Sequence, residues 1–206
     1  HDTRNRYRQL EEAIREDRIG RVKEVQAEID FIQSRKADCF LLYDLLDEGV
    51  LPLRVTHNDT KLNNIMFDSQ TKEPLCIVDL DTVMPGLVLF DFGDSIRFGA
   101  NDCAEDEPDL SKVNFDFDLY ETYVKGFIEG TNGILTEAEL EYLPWGARVI
   151  TLEQGIRFLT DYINGDVYYQ TNRPGQNLDR ARTQLKLVQD MENSWDQMVQ
   201  AVQNMK

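Results

Sequence analysis

Apolar residues recur at intervals of three and four along most of the chain, which is the spacing of one face of an α-helix. The clearest case is the series Val22, Val25, Ile29 and Ile32, which predicts an amphipathic helix over residues 20–35. The other predicted helices cover residues 7–18, 40–46, a segment starting near 89, 117–130, 136–144, 149–163 and 178–202.

Local signals mark several helix ends. Thr136 followed by Glu139 has the spacing of a capping box, which predicts a helix start. Pro144 is expected to interrupt this helix, because proline lacks the backbone N–H and clashes with the preceding turn. The near-heptad register of apolar residues from Leu178 to Val202 predicts one continuous helix near the end of the chain.

Short apolar segments predict a small β component. They cover residues 51–55, 65–67 and 75–78, and turn-forming residues separate the last two. Helices outnumber these strands, and the regular alternation of strand and helix required by a Rossmann fold or a TIM barrel is missing. The sequence therefore predicts an α+β fold, mostly α, in which a small β element carries a polar loop.

Composition limits the classes of function. The chain has 206 residues, 41% of them hydrophobic, which allows a substantial core in one large domain or two small ones. A net charge of −16 argues against nucleic acids and anionic membranes as partners, since both bind basic surfaces. No apolar run approaches the roughly 20 residues of a transmembrane helix. The scattered Cys39, Cys76 and Cys103 fit no metal motif and favour a cytoplasmic location with buried thiols.

Candidate chemistry is concentrated in the segment VTHNDTKLNNIMFD, residues 55–68. Between its apolar ends lies a polar stretch with the spacing H-x-D-x-x-x-x-N, formed by His57, Asp59 and Asn64. A plain hairpin needs only about two to five connecting residues, usually including glycine. This stretch is longer, has no glycine and contains Lys61, so we expect a functional loop.

These residue types suit phosphoryl transfer. An ionised Asp59 can accept the proton of a substrate hydroxyl, and Lys61 can contact a transferring phosphate. The amide oxygen of Asn64 and the carboxylate of Asp79, at the end of the next strand, suit Mg²⁺, which prefers oxygen ligands and completes its shell with phosphates and water. The alternatives are a solvated Lys61 and simple Asx turns at Asn64 and Asp79.

The same parts occur in the same order in protein kinases, as H-R-D-x-x-x-x-N followed by D-F-G. Here HNDTKLNN and the later VDLD resemble more closely the aminoglycoside phosphotransferase and choline kinase superfamily of small-molecule kinases. The following GLVLFDFGD keeps Gly86 and Asp91 of that superfamily's G-D-P-x-x-D motif and departs from it at Leu87 and Val88. These strings, together with RFLTDYINGDVYY and residues 177–184, resemble the N-acetylhexosamine 1-kinase group in particular.

This resemblance extends over all 206 residues and implies the C-terminal lobe of a protein-kinase-like fold, with the nucleotide lobe absent from the chain. It implies ATP as co-substrate, Mg²⁺ as cofactor, and phosphorylation of a small-molecule hydroxyl, in particular the anomeric hydroxyl of an N-acetylhexosamine. The sequence contains no glycine-rich phosphate loop. We therefore expect the chain alone to be inactive and its exposed inter-lobe surface to favour dimers.

The resemblance also implies roles for single residues. Asp59 would orient and deprotonate the sugar hydroxyl, with Lys61 at the transferring phosphate. His57 and Asp91 would support the catalytic loop through hydrogen bonds. Asp81 would either join the metal shell or cap the loop, and we expect a supporting role.

Arg157 and Tyr168 match positions that contact the sugar in the same group. From the residues alone, Arg157 could instead form an i,i+4 ion pair with Asp161. Two alternatives to the sugar kinase stay open. The acceptor could be an aminoglycoside, choline or homoserine, or the chain could be a non-catalytic relative that acts as a binding module.

Overall fold

The computed structural model describes residues 1–205 as a mostly helical α+β fold, which confirms the predicted class. Eight α-helices lie in this part of the chain: α1 (Thr3–Glu16), α2 (Gln26–Gln33), α3 (Asp38–Asp47), α4 (Val88–Gly99), α5 (Phe117–Gly130), α6 (Glu137–Asn164), α7 (Gln176–Asn193) and α8 (Trp195–Gln203). The same residues contain four short strands: β1 (Arg54–Thr56), β2 (Ile65–Phe67), β3 (Pro74–Ile77) and β4 (Met84–Gly86).

The 28-residue helix α6 is the centre of the fold. Helices α1, α4 and α7 pack around it, so it is buried on several sides rather than along a single stripe. Ile150 of α6 belongs to one apolar cluster, with Leu89 and Phe92 of α4. Ile156, further along α6, belongs to a second cluster with Ile29 of α2. Burial of these two clusters from water is the main force that assembles the helices.

Helices α4 and α6 cross with their backbones in contact. A Cβ atom on Gly93 would lie 2.2 Å from the carbonyl oxygen of Gly146, and one on Gly146 would lie 2.3 Å from that of Leu89. Only glycine permits this approach, because any side chain would collide with a backbone that cannot move aside. The crossing fixes the first turns of α4 against the core.

The four strands form two separate antiparallel pairs. β1 pairs with β4, with Val55 opposite Pro85, and β2 pairs with β3, with Ile65 opposite Ile77. The polar loop of residues 57–64 therefore joins two different sheets. The β-hairpin predicted from the sequence is present as β2–β3, but the loop precedes this hairpin and is not its turn.

A buried ion pair ties the first sheet to the core. Arg54 of β1 donates from Nε and Nη2 to the carboxylate of Glu139, at 2.6 and 2.7 Å. Glu139 also completes the predicted capping box at the start of α6, where it exchanges hydrogen bonds with Thr136. One carboxylate thus caps the central helix and holds the strand that leads into the polar loop.

Three helix predictions need correction. The helix expected over residues 20–35 begins only at Gln26, because Val25 has a non-helical φ of −128°. Pro144 does not interrupt α6, where its burial in the core offsets the lost hydrogen bond. The helix expected to run unbroken to residue 202 is divided at Ser194, after which Trp195 packs edge-on against Trp145 at 4.9 Å.

The cysteine prediction was wrong at one position. Cys39 is buried and Cys103 is half-buried, but Cys76 is exposed because every side chain of β3 faces solvent. Among residues 1–205, no helix is both long enough and apolar enough to cross a membrane.

Candidate active site

Hydrogen bonds with Asp91, in the first turn of α4, hold the polar loop of residues 57–64 in place. The carboxylate of Asp91 accepts hydrogen bonds from the backbone N–H groups of His57 and Asn58, at 2.8 and 2.7 Å. The hydroxyl of Thr60 donates to the carbonyl oxygen of Asp91 at 2.6 Å. Burial raises the pKa of Asp91, although the two backbone hydrogen bonds act in the opposite direction. Asp91 therefore holds the backbone at the start of the polar loop.

His57 braces the loop against the end of β3. Its Nε2 lies 3.1 Å from the carbonyl oxygen of Val78, and its Nδ1 lies 3.3 Å from the backbone nitrogen of Asp59. A carbonyl oxygen can only accept and a backbone N–H can only donate, so Nε2 carries the proton and Nδ1 accepts. The ring thus fixes the backbone at Asp59 and needs no change of charge to do so.

Asp59 lies at the centre of a group of polar side chains. Lys61 donates from Nζ to its Oδ2 at 2.7 Å, and Asn64 donates from Nδ2 to the same oxygen at 2.8 Å. Burial would raise the pKa of Asp59, but these hydrogen bonds outweigh burial and hold the pKa below its usual range. The carboxylate is therefore ionised at neutral pH. Its Oδ1 accepts no hydrogen bond from residues 1–205 and is open to a substrate.

Asp79 approaches the same group from the end of β3. Its Oδ2 lies 4.0 Å from the Nζ of Lys61, which is also the donor to Asp59. Asp79 has left-handed backbone angles, with φ of 62° and ψ of 56°, which are uncommon for residues other than glycine. The structure thus brings together all four side chains named from the sequence, and we call Asp59, Lys61, Asn64 and Asp79 the Asp59 cluster.

The Asp59 cluster has the donor set that Mg²⁺ prefers. The Oδ1 of Asn64 accepts no hydrogen bond from residues 1–205, and about half of the Asp79 side chain is exposed. Oxygen atoms of an amide and a carboxylate match the ligands of a magnesium ion whose other ligands are phosphate and water. No three His, Cys, Asp or Glu side chains in the described residues could hold a metal by themselves. The residues therefore fit Mg²⁺ bound together with a phosphorylated ligand.

The comparison with known families decides the class of protein. Residues 1–123 match the model of the phosphotransferase enzyme family. The chain belongs to this family. The matched range contains the complete Asp59 cluster and Asp91. In this phosphotransferase, the part of the chain that matches the family therefore includes the whole cluster. The match ends before α6.

Asp81, expected in the metal shell or as a cap of the loop, forms no such cap among residues 1–205, and its role at a metal stays a prediction. It is exposed, and its carboxylate takes part in none of the hydrogen bonds of residues 1–205. The short 3₁₀ turn that contains it has no side-chain cap. Thr82 instead connects this turn to the polar loop, because its hydroxyl donates to the carbonyl oxygen of His57 at 2.6 Å.

Arg157 and Tyr168 line a cavity of about 400 Å³ between α1 and α6, which we call the α1–α6 cavity. Other residues that line it include Arg6, Glu12, Glu16, Asp161 and Tyr169. Arg157 forms no ion pair with Asp161; instead it donates to Gln154 at 3.0 Å and lies over the ring of Tyr169. None of residues 57–64 lines this cavity, so the phosphotransferase has two distinct groups of candidate residues.

A pair of buried ionisable groups, His1 and Glu153, lies next to the cavity. Glu153 of α6 accepts from the Nδ1 of His1 at 2.9 Å and lies 3.9 Å from Arg6, which lines the cavity. The ring of His1 packs edge-on against Phe90, the neighbour of Asp91. Sequence reasoning did not identify Glu153, because a single glutamate in a helix gives no signal of its partner 152 residues away.

Sequence reasoning also missed the buried Asp161 and Asn177. The sequence suggested Asp161 only as an ion-pair partner of Arg157. Asn177 appeared only within residues 177–184, which resemble the N-acetylhexosamine 1-kinase group. In the structure their side chains bond to each other at 2.9 Å. The acidic segment 101–109 is docked on the protein by ion pairs of Arg97 with Glu105 and of Arg173 with Asp106.

Proposed function

We propose that this phosphotransferase is the catalytic and acceptor-binding lobe of an ATP-dependent kinase that phosphorylates a hydroxyl group of a small molecule. The Asp59 cluster carries the proposal. It combines an ionised carboxylate with a free oxygen, a lysine, and two oxygen ligands suited to Mg²⁺. Positioning and charge stabilisation are the main requirements of phosphoryl transfer, and these groups supply both.

In the proposed mechanism, Asp59 acts on the acceptor hydroxyl through its free Oδ1. The acceptor oxygen attacks the γ-phosphorus of ATP, its proton passes to Asp59, and the bond from phosphorus to the bridging oxygen breaks to release ADP. Lys61 orients the Asp59 carboxylate through its hydrogen bond, and its positive charge would stabilise the transferring phosphoryl group. Mg²⁺ held by Asn64 and Asp79 would supply further neutralisation of the phosphate charge.

For the acceptor, we propose the anomeric hydroxyl of an N-acetylhexosamine, whose sugar ring contacts Arg157 and Tyr168 at the edge of the α1–α6 cavity and whose hydroxyl reaches Oδ1 of Asp59. Arg157 has no carboxylate within ion-pair distance in the described residues, so its guanidinium can donate to sugar or amide oxygens. The ring of Tyr168 is 72% exposed at the same cavity and can stack on a pyranose face. These two side chains match what a neutral, oxygen-rich ligand requires.

Cationic acceptors fit the same cavity less well. Glu12 and Glu16 are paired with Arg15 and Arg18, at 3.5 and 2.7 Å. Asp161 accepts four hydrogen bonds from the protein, so each carboxylate at the cavity already has partners and is less available to an aminoglycoside. A quaternary ammonium such as choline is commonly bound by aromatic rings. Here Arg157 already lies 5.6 Å from the ring of Tyr169 and would repel it.

We also propose that a nucleotide-binding lobe covers the two small sheets. Leu75, Ile77 and Val55 are between 60% and 81% exposed, and all four residues of β3 face solvent. Exposed apolar surface of this kind is typical of an interface. Glycine-rich and lysine elements for the nucleotide would come from that lobe. Without it, the exposed sheets would favour dimers, which sedimentation velocity can detect.

The acceptor is tested in the two-lobed kinase that contains this lobe. ADP release is measured with N-acetylglucosamine, N-acetylgalactosamine, kanamycin, choline and homoserine, and ³¹P NMR identifies the phosphorylated oxygen. We expect turnover with the N-acetylhexosamines and phosphate on the anomeric carbon. Arg157→Ala should raise the acceptor KM more than the KM for ATP. Preference for another acceptor would refute the sugar assignment, and no turnover with any alcohol would refute the kinase assignment.

A further inference from the structure

The segment that carries Tyr168 is held by one buried carboxylate. Residues 165–169, which we call the strap, leave the end of α6 beside the α1–α6 cavity. Oδ1 of Asp161 accepts from the backbone N–H groups of Val167 and Tyr168, at 3.0 and 2.8 Å. Oδ2 accepts from the backbone N–H of Tyr169 at 3.0 Å. Three consecutive amides of the strap therefore converge on Asp161.

Two further side chains lock this arrangement. The Nδ2 of Asn177, in the first turn of α7, donates to Asp161 at 2.9 Å and to Asp166 of the strap at 3.0 Å. Arg21 donates to the other oxygen of Asp166 at 2.6 Å and to the carbonyl oxygen of Tyr162 at 2.7 Å. The strap is thus anchored on α6, on α7 and on the segment between α1 and α2.

Burial makes the Asp161 carboxylate dependent on these donors. Its side chain is only 5% exposed, and a buried charge is costly unless hydrogen bonds compensate it. Four donors satisfy it: three amides of the strap and Asn177. The strap also turns through left-handed angles at Gly165 and Asp166, with φ of 101° and 60°. Such a turn is uncommon for aspartate and persists where surrounding contacts determine it.

The ring of Tyr168 has little other support. It is 72% exposed, and its one aromatic contact among residues 1–205 is with Tyr169, edge-on at 4.8 Å between ring centroids. Tyr169 is better held, because it packs against Phe158 at 4.7 Å and accepts from Gln154 at 3.3 Å. The location of Tyr168 at the cavity is therefore set through its backbone, and the backbone is set by Asp161.

We propose that Asp161 is a positioning residue for the acceptor: it fixes the strap so that Tyr168 is presented at the α1–α6 cavity. The part concerning the acceptor rests on the proposed function, whereas the part concerning the strap does not. Asp161 itself binds no substrate, because both of its oxygens are occupied by protein donors.

The strap is tested first, by amide hydrogen exchange of the 206-residue chain followed by NMR. In the wild type, the amides of residues 167–169 should be protected. Asp161→Ala should accelerate exchange at all three, by about tenfold or more. Asp161→Asn keeps one oxygen and should leave the amides of Val167 and Tyr168 protected while exposing that of Tyr169. This residue-by-residue difference would not arise from general destabilisation.

Asp116→Ala is the matched control. Asp116 caps α5 by accepting from the backbone N–H of Leu119 at 2.9 Å, away from the cavity, so this variant also loses a hydrogen bond between a carboxylate and a backbone amide. It should leave exchange at the strap unchanged. Unprotected strap amides in the wild type, or equal acceleration in Asp116→Ala and Asp161→Ala, would overturn the proposal.

The acceptor part is tested by kinetics of the two-lobed kinase with N-acetylglucosamine. Asp161→Ala should raise the KM for the sugar about tenfold while the KM for ATP stays within about twofold, because only acceptor positioning is lost. Asp116→Ala should change neither constant. An equal rise in both constants would overturn this part. If the wild type shows no turnover with the sugar, the proposed acceptor fails, and the exchange experiment still decides the role of Asp161 in the strap.

Discussion

At the scale of single residues, the Asp59 carboxylate is fixed before any substrate binds. Lys61 and Asn64 occupy one of its oxygens, His57 orients its backbone, and Asp91 holds the loop that carries it. Preorganisation of this kind reduces the reorganisation needed at the moment of reaction, which is the main source of catalysis in phosphoryl transfer. In the proposed mechanism, the other oxygen of Asp59 is the one that receives the proton of the acceptor.

Substitution of the cluster tests these roles in the two-lobed kinase. Asp59→Asn should lower kcat by about 10²-fold or more with a small change in KM, because general base catalysis contributes roughly 10²–10⁴-fold. Asp79→Ala should nearly abolish turnover, since a magnesium ligand is lost. Steady-state kinetics with the exposed Asp196→Asn as control provides the measurement. An unchanged kcat in either variant would contradict the role given to that residue.

At the scale of elements, the crossing of α4 and α6 determines where Asp91 and the loop sit relative to the core. This crossing depends on two glycines, one from each helix, whose backbones touch. The Glu139–Arg54 pair places β1 against the start of α6. The position of the polar loop is therefore set by one contact between helix backbones and by one ion pair.

Gly146→Ala should destabilise the protein by about 1–3 kcal/mol, because its methyl group would lie 2.3 Å from the carbonyl oxygen of Leu89. Gly126→Ala in α5 is the matched control. A Cβ there meets no atom within 4 Å, so the substitution should instead stabilise the helix by about 0.5–1 kcal/mol. Urea denaturation measures both. Equal effects of the two substitutions would show that the helices do not cross as described.

The Glu139 ion pair predicts a specific pH dependence of stability. Burial would raise the pKa of Glu139, but hydrogen bonds from Arg54 and Thr136 outweigh it and lower the pKa below its usual range. A carboxylate with a lowered folded pKa stabilises the protein above its unfolded pKa, roughly 4.3, and loses this contribution as pH falls through the folded value. The Tm of the wild type should therefore exceed that of Glu139→Gln at neutral pH.

This Tm difference should shrink as the pH falls below about 4.3 towards the lowered folded pKa of Glu139, below which both proteins carry a neutral group at this position. Glu137→Gln, an exposed neighbour in the same helical turn, should show no such pH-dependent difference. Calorimetry at several pH values gives the comparison. A Tm difference that is constant with pH would mean that Glu139 contributes through packing rather than through its charge.

At the scale of the whole molecule, the described residues place the Asp59 cluster apart from the α1–α6 cavity. Strands β1 and β3, which precede the polar loop and Asp79 along the chain, carry exposed apolar side chains. In the proposed kinase, this lobe would supply the catalytic loop and the acceptor site, and would obtain most contacts to the nucleotide from a second lobe.

The 206-residue chain alone should bind MgATP with a Kd of about 1 mM or weaker, because Lys61 and the metal ligands would be its principal contacts. A millimolar Kd corresponds to only about 4 kcal/mol of binding free energy. Isothermal titration calorimetry of wild type and Asp79→Ala measures this, and steady turnover with N-acetylhexosamines should be undetectable. Micromolar binding or sustained turnover would show that the chain contains a nucleotide site of its own.

Features encoded over short stretches were accessible from the sequence alone. The H-x-D-x-x-x-x-N loop, the capping box at Thr136 and the strand Ile65–Phe67 all follow from spacings within one or two turns or strands. The mostly helical class follows from apolar periodicity. These features can be predicted from the sequence because the interacting groups are neighbours along the chain, so their geometry depends little on the rest of the fold.

Other features were decided only by the tertiary structure. The pairing of β1 with β4, the continuity of α6 through Pro144 and the break at Ser194 depend on what packs against each segment. Asp161 is the clearest case, because local spacing suggested Arg157 as its partner. Burial instead directed its carboxylate to the strap amides and to Asn177, 16 residues away in another helix. A buried charge takes the donors that surround it in space, and a sequence does not specify which those are.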